Sequence, residues 1–82
     1  MAELFELKRQ PKVVGVKQTK RALSDGSAVL VFLARDADPR VTEPVALLCG
    51  EKGVPVERTP SMKELGAACG IAVGSAAAAL LR

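Results

Sequence analysis

The chain has 82 residues, of which 49% are hydrophobic and 26% charged; this fits one compact domain over residues 1–82 and excludes a disordered tail. The net charge is +3, and six of the 12 Lys and Arg residues lie in residues 7–24, where there is no acidic residue. Positive charge concentrated in this way is what an anionic partner requires. Two phenylalanines, Phe5 and Phe32, are the whole aromatic content, and both are expected to be buried, so a surface that stacks bases on aromatic rings is excluded.

The first half of the chain predicts two helices and two strands. A helix over residues 1–10 ends at Pro11, a strand over residues 12–14 follows, and Gly15 makes the turn. Residues 16–25 form the next helix, which stops at Gly26. Its buried side is predicted to carry Val16, Thr19, Ala22 and Leu23, which share one side at 100° per residue.

The middle of the chain predicts a strand and a helix. Residues 27–34 are an uninterrupted apolar run, typical of a strand covered on both faces. After the turn residues 35–39, Thr42 is expected to cap a helix that has Glu43 and Pro44 in its first turn and ends at residues 50–53. The residues predicted to bury this helix are Val45, Leu47, Leu48 and Cys49.

The last third predicts a strand, a helix and a strand. Pro55 places the strand over residues 54–59 at a sheet edge. Ser61 and Glu64 form a capping box, which opens a helix that runs to about residue 69. After a loop over residues 70–74, residues 75–81 predict an alanine-rich strand against which a helix or backbone packs closely.

This alternation of helices and strands predicts the α/β class, as a three-layer α/β/α sandwich around a mixed four-stranded sheet. The uncharged run over residues 65–81 is rich in Ala and Gly and shorter than the ~20 apolar residues of a membrane span, so no membrane partner is expected. No signal peptide is apparent, and the separated cysteines Cys49 and Cys69 read as reduced thiols. A cytoplasmic protein is therefore expected.

Candidate catalytic chemistry is sparse. The chain has no histidine, tyrosine or tryptophan, and Asp36 and Asp38 are its one close acidic pair. These carboxylates could hold Mg²⁺ or act as an acid and a base, but turn formation and helix capping are the more common roles. No phosphate-binding glycine motif follows a strand. We therefore expect no enzyme activity, no cofactor, no metal and no small-molecule substrate.

The stretch over residues 13–21 is the strongest candidate site. A strand that turns on Gly15 into a helix gathers free backbone N–H groups at one point, and glycine permits close approach. Lys17 and Gln18 can donate to base edges, while Lys20 and Arg21 can pair with phosphates. This pattern favours nucleic acid. The alternatives are an ordinary solvated helix face, or a small α/β interaction module whose basic face docks on an acidic protein.

Residues 15–21 (Gly-Val-Lys-Gln-Thr-Lys-Arg) resemble the G-x-N-E-x-x-K signature of the L7Ae family of kink-turn-binding ribosomal proteins. Residues 34–39, residues 49–55 and residues 61–73 resemble later parts of the family, in the same order. The resemblance implies an α/β/α sandwich that binds the tandem sheared G·A pairs of a bent RNA element, the kink-turn. Lys17 and Gln18 stand where the family has Asn-Glu, a replacement associated with its bacterial members.

The resemblance also implies two contact segments with RNA. In the family, the loop before the last strand packs against the flipped-out nucleotide of the kink, and residues 71–75 are small, apolar and uncharged here. The implied partner is structured RNA, ribosomal RNA foremost, bound by a monomer. The RNA-binding residues implied are Gly15, Val16, Lys17, Gln18, Lys20, Arg21, Ile71, Ala72, Val73, Gly74 and Ser75.

Overall fold

A computed structural model describes residues 10–82 of the chain. The helix predicted over residues 1–10, apart from Gln10, and the predicted burial of Phe5 lie outside the described residues. The described elements, in order, are β1 (Lys12–Val14), α1 (Val16–Ser24), β2 (Ala28–Ala34), α2 (Pro39–Lys52), β3 (Val56–Thr59), α3 (Met62–Ala68) and β4 (Ala77–Leu81).

The four strands form one mixed sheet in the order β1-β4-β2-β3. β4 runs antiparallel to both of its neighbours, and β2 and β3 are parallel. The edge position predicted for β3 is confirmed, but the strand begins at Val56 and not at residue 54, so Pro55 precedes it and does not have to donate an N–H to a neighbouring strand.

Helices cover both faces of the sheet, which confirms the three-layer prediction. Side chains alternate along β2 and β4, so successive residues enter different cores. On one face, α1 and α2 pack on the sheet through Ala22, Leu23, Val31, Leu33, Val45, Cys49, Ala77 and Ala79. On the other face, α3 and the β2–α2 turn pack through Phe32, Ala34, Ala37, Leu65, Cys69, Ala78 and Leu80.

The alanines of β4 allow both helix layers to approach the centre of the sheet. Ala77, Ala78 and Ala79 are completely buried, as expected from the small residues of this strand. Cys49 and Cys69 are both free and buried, on different faces of the sheet. Burial raises the pKa of each thiol above its ordinary value, because the charged thiolate is poorly solvated there.

The prediction that β2 is covered on both faces is correct only for its second half. Residues 31–34 are buried, but Val29 is 40% exposed and Leu30 is half-buried. The pairing of β2 with β4 has a register shift between Ala28 and Leu30, where Val29 has no partner in β4, and pairing with β3 begins only at Val31.

The predicted start of α2 is wrong. Asp38 is its N-cap and accepts a 2.9 Å hydrogen bond from the Arg40 N–H, and Pro39 takes the first helical position. Thr42, predicted to be the cap, is buried within the helix, and Pro44 is internal. The Asp-Pro pair is the stronger start signal because it combines a carboxylate acceptor with a residue that needs no N–H partner.

Leu47 was predicted to help bury α2, but its side chain is 70% exposed. The helix starts four residues earlier than expected, and Val45 and Cys49 already lie on its buried side. Among the helices in residues 10–82, none is both long enough and apolar enough to cross a membrane. The uncharged run over residues 65–81 is divided between α3, a loop and β4.

Candidate nucleic-acid interface

Three loops and the start of β4 meet at the end of the sheet where β1, β2 and β3 finish. Gly15, directly after β1, donates its N–H to the Ala77 carbonyl at 2.8 Å. The Ala34 N–H at the end of β2 reaches the Ala76 carbonyl at 2.9 Å, and the Arg35 N–H reaches the Thr59 carbonyl at 2.9 Å. The starts of α1, α2 and α3 therefore lie beside the loop that leads into β4.

Gly15 makes the turn into α1 in a conformation that favours glycine. Its φ is 101° and its ψ is 156°, a region that L side chains rarely adopt. A Cβ at this position would have no protein atom within 4 Å. The space in front of Gly15 is therefore open, and a ligand can approach the backbone there. The strand, turn and helix predicted over residues 12–25 are confirmed, with the helix ending at Ser24 and Asp25 as its C-cap.

The N-terminus of α1 differs from those of the other two described helices. Asp38 caps α2, and Ser61 caps α3 by accepting the Glu64 N–H at 3.1 Å. No side chain caps α1, and its first turn has no acidic residue. Thr19 donates the first intrahelical bond, to Gly15, so the amides of residues 16–18 have no carbonyl partner within the helix. These donors and the positive end of the helix dipole favour an anion.

The predicted site residues of α1 divide as expected into exposed and inward-facing groups. Lys17, Gln18, Lys20 and Arg21 are exposed. Val16 is partly buried and packs against the core, so its contribution to a ligand surface comes mainly from its backbone. Within residues 10–82, the only ion pair is Arg40 with Asp38. The three cations of α1 form no ion pair in that part of the chain, although the Asp25 carboxylate attracts Arg21.

The loop before β4 presents an apolar surface beside α1. Val73 is 71% exposed and Ile71 is 37% exposed; Ala72 and Gly74 are exposed as well. The loop lies directly on α3, because a Cβ on Gly66 would collide with the Val73 carbonyl oxygen. A loop that packs on a helix and holds apolar side chains in solvent is suited to contact with the face of a planar ligand.

Ser75, predicted as a contact residue, is buried, unlike its neighbours in the loop. Its Oγ donates to the Ala77 carbonyl at 2.7 Å, and this oxygen also accepts the N–H of Gly15. The Ser75 side chain is therefore committed within the protein. It joins the loop to the start of α1, so the two predicted contact segments are brought together.

A shallow pocket of about 210 Å³ lies beside the exposed side of α1. Ser27 donates to the Asp25 carboxylate at its rim, at 2.6 Å from Oγ and 3.0 Å from N, and these bonds hold the pKa of Asp25 below its ordinary value. The carboxylate stays charged and marks the far end of the basic surface. The pocket is lined by Val13, Gln18, Arg21, Ala22, Asp25, Ser27 and Leu81.

The carboxylates Asp36 and Asp38 both cap helices, as the more common reading of the pair predicts. Asp38 serves α2, while Asp36 accepts the Met62 N–H of α3 at 2.8 Å. The partner of Asp36 could not be predicted, since a hydrogen bond to a residue 26 positions away leaves no local pattern in the sequence.

A comparison with known protein families agrees with the fold and with the glycine turn at the start of α1. The model of the ribosomal protein L7Ae/L30e/S12e/Gadd45 family matches residues 3–82, and the chain belongs to this family. The resemblance stated from the sequence is thereby confirmed.

Known proteins similar to this chain come from several organisms. This chain is 51% identical to the RNA-binding protein YbxF of Geobacillus stearothermophilus over 70 residues, a stretch that covers 85% of each chain. It is 43% identical over 79 residues to an RNA-binding protein of Caldanaerobacter subterraneus, covering 96% of this chain and 93% of that one. The structure of the Giardia lamblia 15.5kD RNA binding protein superimposes with a TM-score of 0.90 at 31% identity, covering 96% of this chain and 70% of that one.

Proposed function

We propose that this protein binds RNA at the surface formed by the start of α1 and the loop over residues 71–75, and that its preferred ligand is a kink-turn. The observation that carries the proposal is the uncapped start of α1, where free amides, an open glycine and exposed cations coincide. Membership of a family with RNA-binding relatives supports RNA as the anion.

Within this surface, the residues of α1 divide between positioning the RNA and reading it. The exposed Lys20 and Arg21 pair with phosphates, which holds the RNA in place without regard to sequence. Lys17 and Gln18 lie at the first exposed positions after Gly15 and donate to the edges of the sheared G·A bases. Gly15 allows the RNA backbone to approach the free amides.

The second segment supplies apolar contact. Ile71, Ala72, Val73 and Gly74 offer no charge and no hydrogen-bonding side chain, and two of them are large exposed hydrophobic residues. This surface covers the face of the flipped-out nucleotide at the kink, in place of the aromatic rings that other RNA-binding proteins use. Phe32 is completely buried and takes no part.

In the cell, we propose a cytoplasmic monomer bound to ribosomal RNA or to another structured RNA. Amide NMR spectra of the protein, recorded while a kink-turn RNA is added, test the site directly. We expect the largest shift changes at residues 15–21 and 71–75. Changes concentrated on α2 or β3 would place the RNA elsewhere. No change at all would favour a protein partner for the basic face.

A further inference from the structure

A chain of four hydrogen bonds connects the β2–α2 turn to the start of α1 across this end of the sheet. The Asp36 carboxylate accepts the Met62 N–H at 2.8 Å, and the Met62 carbonyl accepts the Ser75 N–H at 3.0 Å. Ser75 Oγ then donates to the Ala77 carbonyl at 2.7 Å, which also accepts the Gly15 N–H at 2.8 Å. Three of these bonds join different segments of the candidate interface, and the Ser75–Ala77 bond lies within the segment that leads into β4.

Met62 is the point at which this chain depends on an exposed side chain. The other three bonds use backbone groups or the buried Ser75 hydroxyl, whereas Asp36 is an exposed side chain in a different turn. Gly74 lies so close to Met62 that a Cβ on Gly74 would be 3.1 Å from the Met62 Cβ. The placement of the Met62 peptide therefore sets the placement of residues 73–75.

From these contacts we infer that Asp36 is a positioning residue for RNA: it fixes the apolar loop over residues 71–75 against Gly15, at the distance that a bent RNA requires. The inference rests on the proposed function for its RNA readout. Asp36 itself touches no RNA in this scheme, because a carboxylate near phosphates is repelled. Its role is to accept one hydrogen bond.

Two variants separate this hydrogen bond from the charge. Asp36→Asn and Asp36→Ala both remove the negative charge, but the Asn carbonyl oxygen can still accept the Met62 N–H. We expect Asp36→Ala to weaken binding to kink-turn RNA on the order of tenfold relative to Asp36→Asn. Both should bind a plain duplex equally well, because that RNA does not need both segments at once. Equal affinity of the two variants for kink-turn RNA would overturn the inference.

A third variant controls for lost helix stability. Ser61→Ala removes the other cap of α3, whose hydrogen bond from the Glu64 N–H is local to the start of that helix. This variant should lower the unfolding temperature about as much as Asp36→Ala does. If Ser61→Ala weakens kink-turn binding as much as Asp36→Ala, the effect is general destabilisation and the inference is wrong.

Amide hydrogen exchange in the free protein keeps the inference distinct from the proposed function. Asp36→Ala should speed exchange of the Ser75 N–H at least several-fold more than Ser61→Ala does, because the Met62 carbonyl that protects this amide is no longer held. Unchanged Ser75 exchange would overturn the inference while the RNA proposal stands. Faster exchange in a protein whose wild type does not prefer kink-turn RNA would overturn the RNA proposal, and the positioning role for RNA with it.

Discussion

At the scale of single residues, Gln18 is the clearest test of base recognition. It is exposed two residues after the first turn begins, and it carries no charge, so its removal leaves the electrostatic attraction unchanged. Gln18→Ala should cost about 1–3 kcal/mol of binding free energy on kink-turn RNA and little on a plain duplex. Titrations of both RNAs at one salt concentration measure the difference, with Ser24→Ala at the far end of α1 as the control. An equal loss on both RNAs would mean that Gln18 reads no base.

Gly15 tests the close approach of RNA to the backbone. Gly15→Ala has space for its methyl group in the free protein, but its φ of 101° and the ligand in front of it both oppose the change. We expect about 1–3 kcal/mol of lost stability and a larger loss of kink-turn binding than Gln18→Ala produces.

Gly53→Ala is a control for Gly15, because Gly53 also has a positive φ (68°) and open space but caps the far end of α2. Its left-handed backbone costs alanine less than the φ of 101° and ψ of 156° at Gly15 do. Thermal unfolding and RNA titration of both variants separate strain from blocked approach. If both variants keep wild-type affinity, RNA does not approach Gly15.

At the scale of elements, the contact between α3 and the loop before β4 holds the second half of the interface. Gly66→Ala places a methyl group against the Val73 carbonyl oxygen, which is backbone and cannot rotate away. The loop must move, and we expect a loss of about 1–3 kcal/mol in unfolding free energy together with weaker binding to kink-turn RNA.

Gly50→Ala provides the matched control within α2. This glycine is also helical, but a Cβ there meets no atom within 4 Å, so the substitution should stabilise the protein by about 0.5–1 kcal/mol through helix propensity alone. Chemical denaturation of both variants checks the pair. A neutral Gly66→Ala would show that the loop is not held by this contact.

Local signals in the sequence predicted most elements but not how one element fits another. The Ser61 capping box and the glycine turn before α1 are confirmed because their information lies within four residues. The start of α2 was misplaced because two proline signals compete over residues 38–44. Leu47 is exposed because it lies two residues, about 200° around the helix, from the buried Val45 and Cys49. The hydrogen bond that Asp36 accepts from Met62 and the burial of Ser75 depend on which strands become neighbours, and no short pattern specifies this.

At the scale of the whole molecule, positive charge on one helix should make RNA binding salt-dependent in a predictable way. Lys20→Ala and Arg21→Ala should each lower the slope of log affinity against log salt by about 0.7–0.9, one phosphate contact apiece, and weaken binding to all RNAs. Lys52→Ala, at the end of α2 that lies away from the candidate interface, should leave the slope unchanged. Titrations at four salt concentrations provide the slopes. An unchanged slope for both α1 variants would place the phosphate-binding face elsewhere.

The most direct test of RNA recognition compares two ligands for the wild-type protein: a kink-turn RNA and a fully paired duplex of the same length. Titrations at one near-physiological salt concentration measure both affinities. Because the start of α1 and the apolar loop are held together at one end of the sheet, we predict a preference for the kink-turn of roughly a hundredfold or more. Equal, weak binding to both RNAs would contradict the proposal and leave the basic face as a docking surface for an acidic protein.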